Sequence, residues 1–164
     1  MTPDQAGPQP YFFQPDSAEI RYLGTIATQF LATGAMTGGA FALVDERAEM
    51  GEAVPLHRHP ADVESFYVLE GEIDFFLGDA PGVRTTTGGF VHVPAGAVHG
   101  FRVASDQARY LILTTPRHGE FYRAISMPSA PDRTSTGKPL PEGAIRQAAK
   151  DFGIEFVGPL PKPA

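Results

Sequence analysis

The stretch PLHRHPADVESFYVLEG, Pro55 to Gly71, sets two histidines two positions apart and places a glutamate five positions after the second. In an extended strand, residues two apart project from one face, so His57 and His59 point the same way. Glu64 stands an odd step from His59 and would face away if the strand ran on unbroken. Pro60 breaks it. Lacking an N–H, proline cannot join a ladder, and here it favours a turn through Ala61 and Asp62. Glu64 then opens the next strand facing back toward the histidines, with Phe66 and Val68 on its side as an apolar floor.

A second stretch, GGFVHVPAGAVHGFRV, supplies the complement. Pro94 and Gly96 make a turn, and His99 begins the strand that leaves it, with Phe101 and Val103 on its face. If the two hairpins pack side by side, three imidazoles and one carboxylate converge. That donor set suits a borderline divalent ion with one or two coordination positions left open, as in a working site rather than a bracing one. An H-x-H pair alone says little, because paired strand histidines commonly sit at a surface. Four ligand-type side chains at turn-controlled spacings say more.

Composition narrows the rest. The 164 residues suit one domain with a real core. With 13 Lys+Arg against 19 Asp+Glu, the formal charge is −6 and no basic run occurs. Nucleic acid and anionic membranes are therefore not expected partners. There is no cysteine, so disulfides and thiolate ligands are excluded and any metal must be held by nitrogen and oxygen. The opening MTPDQAGPQPYFFQPDS lacks the basic and apolar regions of a secretion signal, and no window reaches the length of a membrane span. A soluble, cytoplasmic protein is expected.

The 18 glycines and 16 prolines fall between short apolar runs, the punctuation of many turns and short strands. Residues 1–20 read as a proline-rich arm, 21–116 as a β-barrel, and 117–164 as a helical extension and tail packed on it. Within the barrel the spacing predicts strands over YLGTIATQFLAT, AFALVDERA, AVPLHRH, VESFYVLEG, EIDFFLG, the two halves of GGFVHVPAGAVHGFRV, and ARYLILTTP, which ends the β region at Pro116. GEFYRAISM is read as a short helix and PEGAIRQAAKDFG as a better one, with Gly153 in the stop position. SAPDRTSTGKPLP joins them as a linker. The class is all-β with short C-terminal helices.

The spacing G-x5-H-x-H-x4-E-x6-G is met by Gly51, His57, His59, Glu64 and Gly71, and G-x5-P-x-G-x2-H by Gly88, Pro94, Gly96 and His99. With these two motifs the chain resembles the cupins. Val103 stands where the family often has an asparagine that is not a metal ligand. Similarity extends over about residues 11–160, through LATGAMTGGAFALVDERAEMGEAVPLHRH, TTPRHGEFYRA and KDFGIEFVGPLP, to single-domain proteins grouped with quercetin 2,3-dioxygenases. The resemblance implies a jelly-roll barrel with a divalent transition metal ion in its mouth, bound by His57, His59, Glu64 and His99. Nickel or iron is favoured; manganese, cobalt, copper or zinc would also suit the donors.

The same resemblance implies ring-opening oxygenation of a flavonol or similar enol-bearing aromatic by O2, with carbon monoxide released and Glu64 as the general base. Phe66, Phe75, Phe101 and Ile112 are candidates for an apolar wall against the substrate ring, although each singly also reads as barrel core. Asp62 is a second carboxylate near the turn, but the motif spacing favours Glu64. His92 is expected on the outer face or in the core, His118 at the surface in preference to a place over the barrel mouth, and Arg102 as an exterior charge. Alternatives are a non-redox metal-dependent cupin, isomerase- or polyketide-cyclase-like, and a non-catalytic small-molecule-binding cupin. A homodimer is expected, with the exposed-looking aromatics of YFFQP suited to exchange between subunits.

Overall fold

A computed structural model describes residues 8–162. Residues 1–7, and with them the start of the expected arm and of the stretch read as lacking a secretion signal, lie outside the described residues. Twelve strands and two helices follow one another: β1 (Glu19–Leu23), β2 (Ile26–Ala32), β3 (Ala42–Glu49), β4 (Ala53–Arg58), β5 (Glu64–Glu70), β6 (Glu72–Leu77), β7 (Val83–Thr86), β8 (Phe90–Val93), β9 (His99–Val103), β10 (Gln107–Thr114), α1 (Pro116–Ala124), β11 (Met127–Pro128), α2 (Ala144–Phe152) and β12 (Glu155–Gly158). They form two antiparallel sheets, one ordered β11-β1-β2-β3-β10-β5-β8 and the other β12-β4-β9-β6-β7. This is the jelly-roll barrel of the cupins, all-β with two short helices.

Alternation along the strands makes the inside. In β5, Glu64, Phe66 and Val68 are buried while Tyr67 between them is exposed. Phe66, Phe75, Phe101 and Tyr110 stack at the centre, with Phe66 at 5.1 Å from Phe75 and 5.7 Å from Phe101, and Phe101 at 5.7 Å from Tyr110. Val44, Val68, Ile73, Val103 and Ile112 close the same core. Such packing of rings and branched side chains between two sheets is where most of the driving force for folding resides.

Several elements differ from the sequence expectation. YLGTIATQFLAT holds two strands, because Gly24 adopts φ +60° and, with Thr25, turns β1 onto β2. The apolar run hides that turn. β7 is short and largely exposed, so it carries no alternation to read. Beyond Pro116 lie two further strands: β11 pairs with β1 and β12 pairs with β4. The first helix begins at Pro116 rather than near Gly119, since Thr115 caps it by accepting from His118 N at 3.2 Å and proline suits the first turn. α2 ends as expected at Gly153, which is left-handed at φ +71°. Of the arm, Tyr11, Phe12 and Phe13 are exposed, and Tyr11 OH donates to Leu31 O.

Gly71 moves the chain from β5 in one sheet to β6 in the other in a single residue. Its φ is +82°, and a Cβ there would stand 2.2 Å from Gln107 O and 2.6 Å from Ser105 Oγ. Gly51 has a similar φ, +85°, with nothing within 4 Å. Gly71→Ala is therefore expected to lower unfolding free energy by at least about 3 kcal/mol, and Gly51→Ala by only about 1 kcal/mol, in urea titrations. Equal costs at the two positions would refute the close-approach account.

Candidate metal centre

His57 is the penultimate residue of β4, His59 follows that strand, and His99 opens β9, where it is the cross-strand partner of His57. Glu64 opens β5 in the opposite sheet. The turn at Pro60, closed by Asp62 N on His59 O, brings Glu64 back over the histidines. All four are buried, and one ligand atom from each lies within 4.8 Å of the others.

The imidazoles are oriented by backbone carbonyls. His57 Nδ1 lies 2.8 Å from Pro55 O, His59 Nδ1 2.7 Å from Asp62 O, and His99 Nδ1 3.0 Å from Ala97 O. A carbonyl can only accept, so each Nδ1 carries the hydrogen and each Nε2 presents a lone pair. Nε2 of His59 and His99 approach to 3.3 Å, and both lie within 3.0 Å of Glu64 Oε2. Lone pairs and a carboxylate pressed together out of water repel one another unless a cation or protons lie between them. The donor chemistry fits a single divalent metal ion held by three nitrogens and one oxygen.

The other oxygen of Glu64 is held from α1. Oε1 accepts from His118 Nε2 at 2.9 Å and from Tyr122 OH. The surface position expected for His118 is thus corrected: its side chain is 2% exposed, and its Nδ1 has no hydrogen-bond partner. Four residues apart on a helix, His118 and Tyr122 share a face. The His-x3-Tyr spacing behind a Thr-Pro helix start was the available signal for both, and Tyr122 was missed altogether.

Burial by itself opposes ionisation of Glu64. The charge and hydrogen bond of His118, with the bonds that His59 and His99 give when their rings are protonated, outweigh it and hold the carboxyl well below its usual range. Burial pushes His57 down to about 4, and His99 beside it adds to the shift, so His57 is neutral at physiological pH as a ligand must be. His59 is also disfavoured by burial, but its bond to Glu64 and the Glu64 charge raise it overall.

The other sequence candidates separate. Asp62 is buried but turned away, its carboxylate taking bonds from Thr115 Oγ1 at 2.5 Å and Arg117 Nη1 at 3.3 Å while its carbonyl steadies His59. His92 is exposed and pairs with Ser65 Oγ at 2.8 Å. Arg102 reaches Pro161 O at 3.0 Å. Phe101 and Ile112 line an inner chamber of about 80 Å³ together with His57, Glu64, His118 and Tyr122. Phe66 and Phe75 do not reach it; they lie in the ring stack behind Phe101.

Thr28 and Glu46 add a polar patch to the chamber, with Thr28 Oγ1 donating to Glu46 Oε1 at 2.9 Å. The two are cross-strand partners on β2 and β3. Burial raises the Glu46 carboxyl to about 7, the Thr28 bond offsets part of the rise, and the charges of Glu64 and Asp45 add to it.

Comparison with known proteins places these features. The cupin domain model matches residues 45–114, which contain all four donors. The chain is 28% identical to quercetin 2,3-dioxygenase of Bacillus subtilis (strain 168) over 123 residues, 74% of this chain and 36% of that protein. It thus spans about a third of that relative's length. Among solved structures, the polyketide cyclase RemF from Streptomyces resistomycificus is 20% identical, covering 66% of this chain and 80% of its own, with a TM-score of 0.58. An RmlC-like cupin from Shewanella frigidimarina NCIMB 400 is 21% identical, covering 69% and 96%, with a TM-score of 0.59. These two likenesses are of fold. Residues 45–114 thus carry a cupin domain match, in agreement with the two motifs and the barrel. Among the described residues, no helix is long and apolar enough to cross a membrane.

Two outcomes are expected. His118→Ala should weaken metal binding about 10–100-fold in chelator competition, because the partners that orient ligands set affinity; unchanged affinity would remove His118 from that role. In metal-free protein, Glu46 is protonated when folded up to about 7 but only up to about 4.5 when unfolded. The unfolded state therefore holds fewer protons within that window, and wild-type stability falls as pH rises through it. Relative to wild type, Glu46→Gln should gain up to about 3 kcal/mol between pH 4.5 and pH 8 in urea titrations. A pH-independent difference would show that Glu46 ionises normally.

Proposed function

We propose that this protein is a metal-dependent dioxygenase, similar to quercetin 2,3-dioxygenase, that opens the ring of a flavonol or a similar enol-bearing aromatic using O2. The observation that carries this reading is the meeting of three carbonyl-oriented imidazoles and Glu64 at the edge of a small, mostly apolar chamber. The relationship to the Bacillus enzyme supports the reaction class. No lysine or arginine lines the chamber, so beyond the ion itself no side-chain cation there selects an anionic substrate.

His57, His59, Glu64 and His99 would hold the ion, nickel or iron by preference. When bound, it supplies a Lewis-acid charge that lowers the pKa of a coordinated hydroxyl and a centre at which O2 can react. Glu64 accepts the substrate's hydroxyl proton. Its Oε1 is already held by His118 and Tyr122, which fixes the carboxylate while Oε2 changes partners. Phe101 and Ile112 flank the reacting ring and keep water from it. In the barrel core behind them, Phe66 and Phe75 fix the position of Phe101.

The test is flavonol-dependent oxygen uptake by metal-reconstituted wild type and Glu64→Gln, with metal content measured in parallel. Wild type should consume O2 only with flavonol present. The variant should keep its fold and lose at least about 100-fold in kcat, the scale of one general base. Turnover of flavonol without oxygen consumption would replace the dioxygenase reading with a non-redox one. Undiminished turnover in the variant would remove Glu64 from catalysis.

A further inference from the structure

The inner chamber, at about 80 Å³, is far smaller than the roughly 300–1,000 Å³ of sites that enclose drug-sized ligands. It shares Leu23, Ile26, Val54 and His57 of its lining with an adjoining recess of about 350 Å³. Ile145 from α2, Ile154 just before β12 and Phe156 from β12 line that recess. All three lie beyond residue 114, where the cupin domain match ends. Phe156 is the cross-strand partner of His57, and its ring centroid is 6.4 Å from that imidazole. Phe156 is 49% exposed and Ile145 38% exposed, so both keep free apolar surface.

Resting on the proposed function, we infer that this recess binds the body of the substrate, an uncharged, flat, multi-ring apolar system, of which only the reacting ring enters the inner chamber. Three features select that ligand class. The lining is apolar but for Glu52 and His57, and the Glu52 carboxylate already accepts from Thr25. No cation lines the recess, so a carboxylate or phosphate finds no partner. The two spaces adjoin along shared lining residues, so an elongated molecule can reach into both where a compact one occupies only the first. The C-terminal segment, beyond the cupin domain match, is then the specificity-determining part of the site.

The probe is flavone, which keeps the flavonol ring system but lacks the enol hydroxyl, so its binding does not depend on turnover. Flavone binding to the metal-reconstituted protein is measured for wild type, Phe156→Ala, Ile145→Ser and Phe156→Leu. Phe156→Ala should weaken flavone about tenfold, as expected for the loss of one large apolar side chain from the wall, and Phe156→Leu should restore most of it. Ile145→Ser, on α2 and away from the histidines, should weaken it severalfold. A single-ring hydroxypyranone should be affected less than about twofold by any of them, since it fits the inner chamber alone.

Failure of flavone to bind wild type, or equal weakening of both probes, would overturn the inference. A recess covered instead by a second copy of the chain would exclude flavone and give a Phe156→Ala protein of smaller assembly size, which also overturns it. If flavone binds and responds as stated while flavonol consumes no oxygen, the recess stands and the dioxygenase reading falls. If flavonol is turned over by Phe156→Ala with unchanged KM, the dioxygenase reading stands and the recess falls.

Discussion

Four donor atoms held within 4.8 Å of one another, away from water, are the constraint around which this barrel is organised. Left to themselves they would part, because imidazole lone pairs and a carboxylate have nothing to offer each other without a cation or protons. They are kept in place by bonds made outward. Each histidine spends its Nδ1 hydrogen on a carbonyl two or three residues away in sequence, at Pro55, Asp62 or Ala97. Those carbonyls belong to β4 and the turns beside it, and the strands are anchored by the ring stack of Phe66, Phe75, Phe101 and Tyr110. The core thus holds the backbone, the backbone holds the rings, and the rings wait with their free nitrogens inward.

Glu64 is the member of the set that belongs to two structures at once. Through Oε2 it completes the histidine cluster, and through Oε1 it is tied to His118 and Tyr122 on α1. The helix reaches that position because it starts directly after β10, capped by Thr115, whose hydroxyl also bonds the buried Asp62 carboxylate. Asp62 in turn steadies His59 through its carbonyl. Helix, turn and ligand are therefore joined by a short chain of hydrogen bonds, and movement of α1 would be felt at both Glu64 and His59.

What could be read in advance follows this division between local and distant order. The His57, His59 and Glu64 arrangement is written into one proline turn, and the place of His99 into Pro94 and Gly96, so strand periodicity and turn chemistry were enough. The barrel class was legible for the same reason. His118 and Tyr122 were not, because their inward direction depends on how α1 docks on the barrel, an event that no residue within the helix specifies alone. β12 escaped notice because its exposed EFVG text has no buried face and gains its order from pairing with β4. Phe66 and Phe75 were placed at the wall because they share alternation with lining residues; alternation tells inside from outside but not how deep along the barrel a ring lies.

Two buried carboxyls in one chamber show how strongly placement governs chemistry. Glu64 is surrounded by donors and is held ionised. Glu46 has the hydroxyl of Thr28 as its donor bond, lies within the field of Glu64, and keeps its proton to about 7. Near neutrality the chamber therefore offers an acceptor at one end and a carboxyl able to donate at the other, between walls of Phe101 and Ile112. A ligand carrying one hydroxyl and one carbonyl on a neutral ring can satisfy both ends at once.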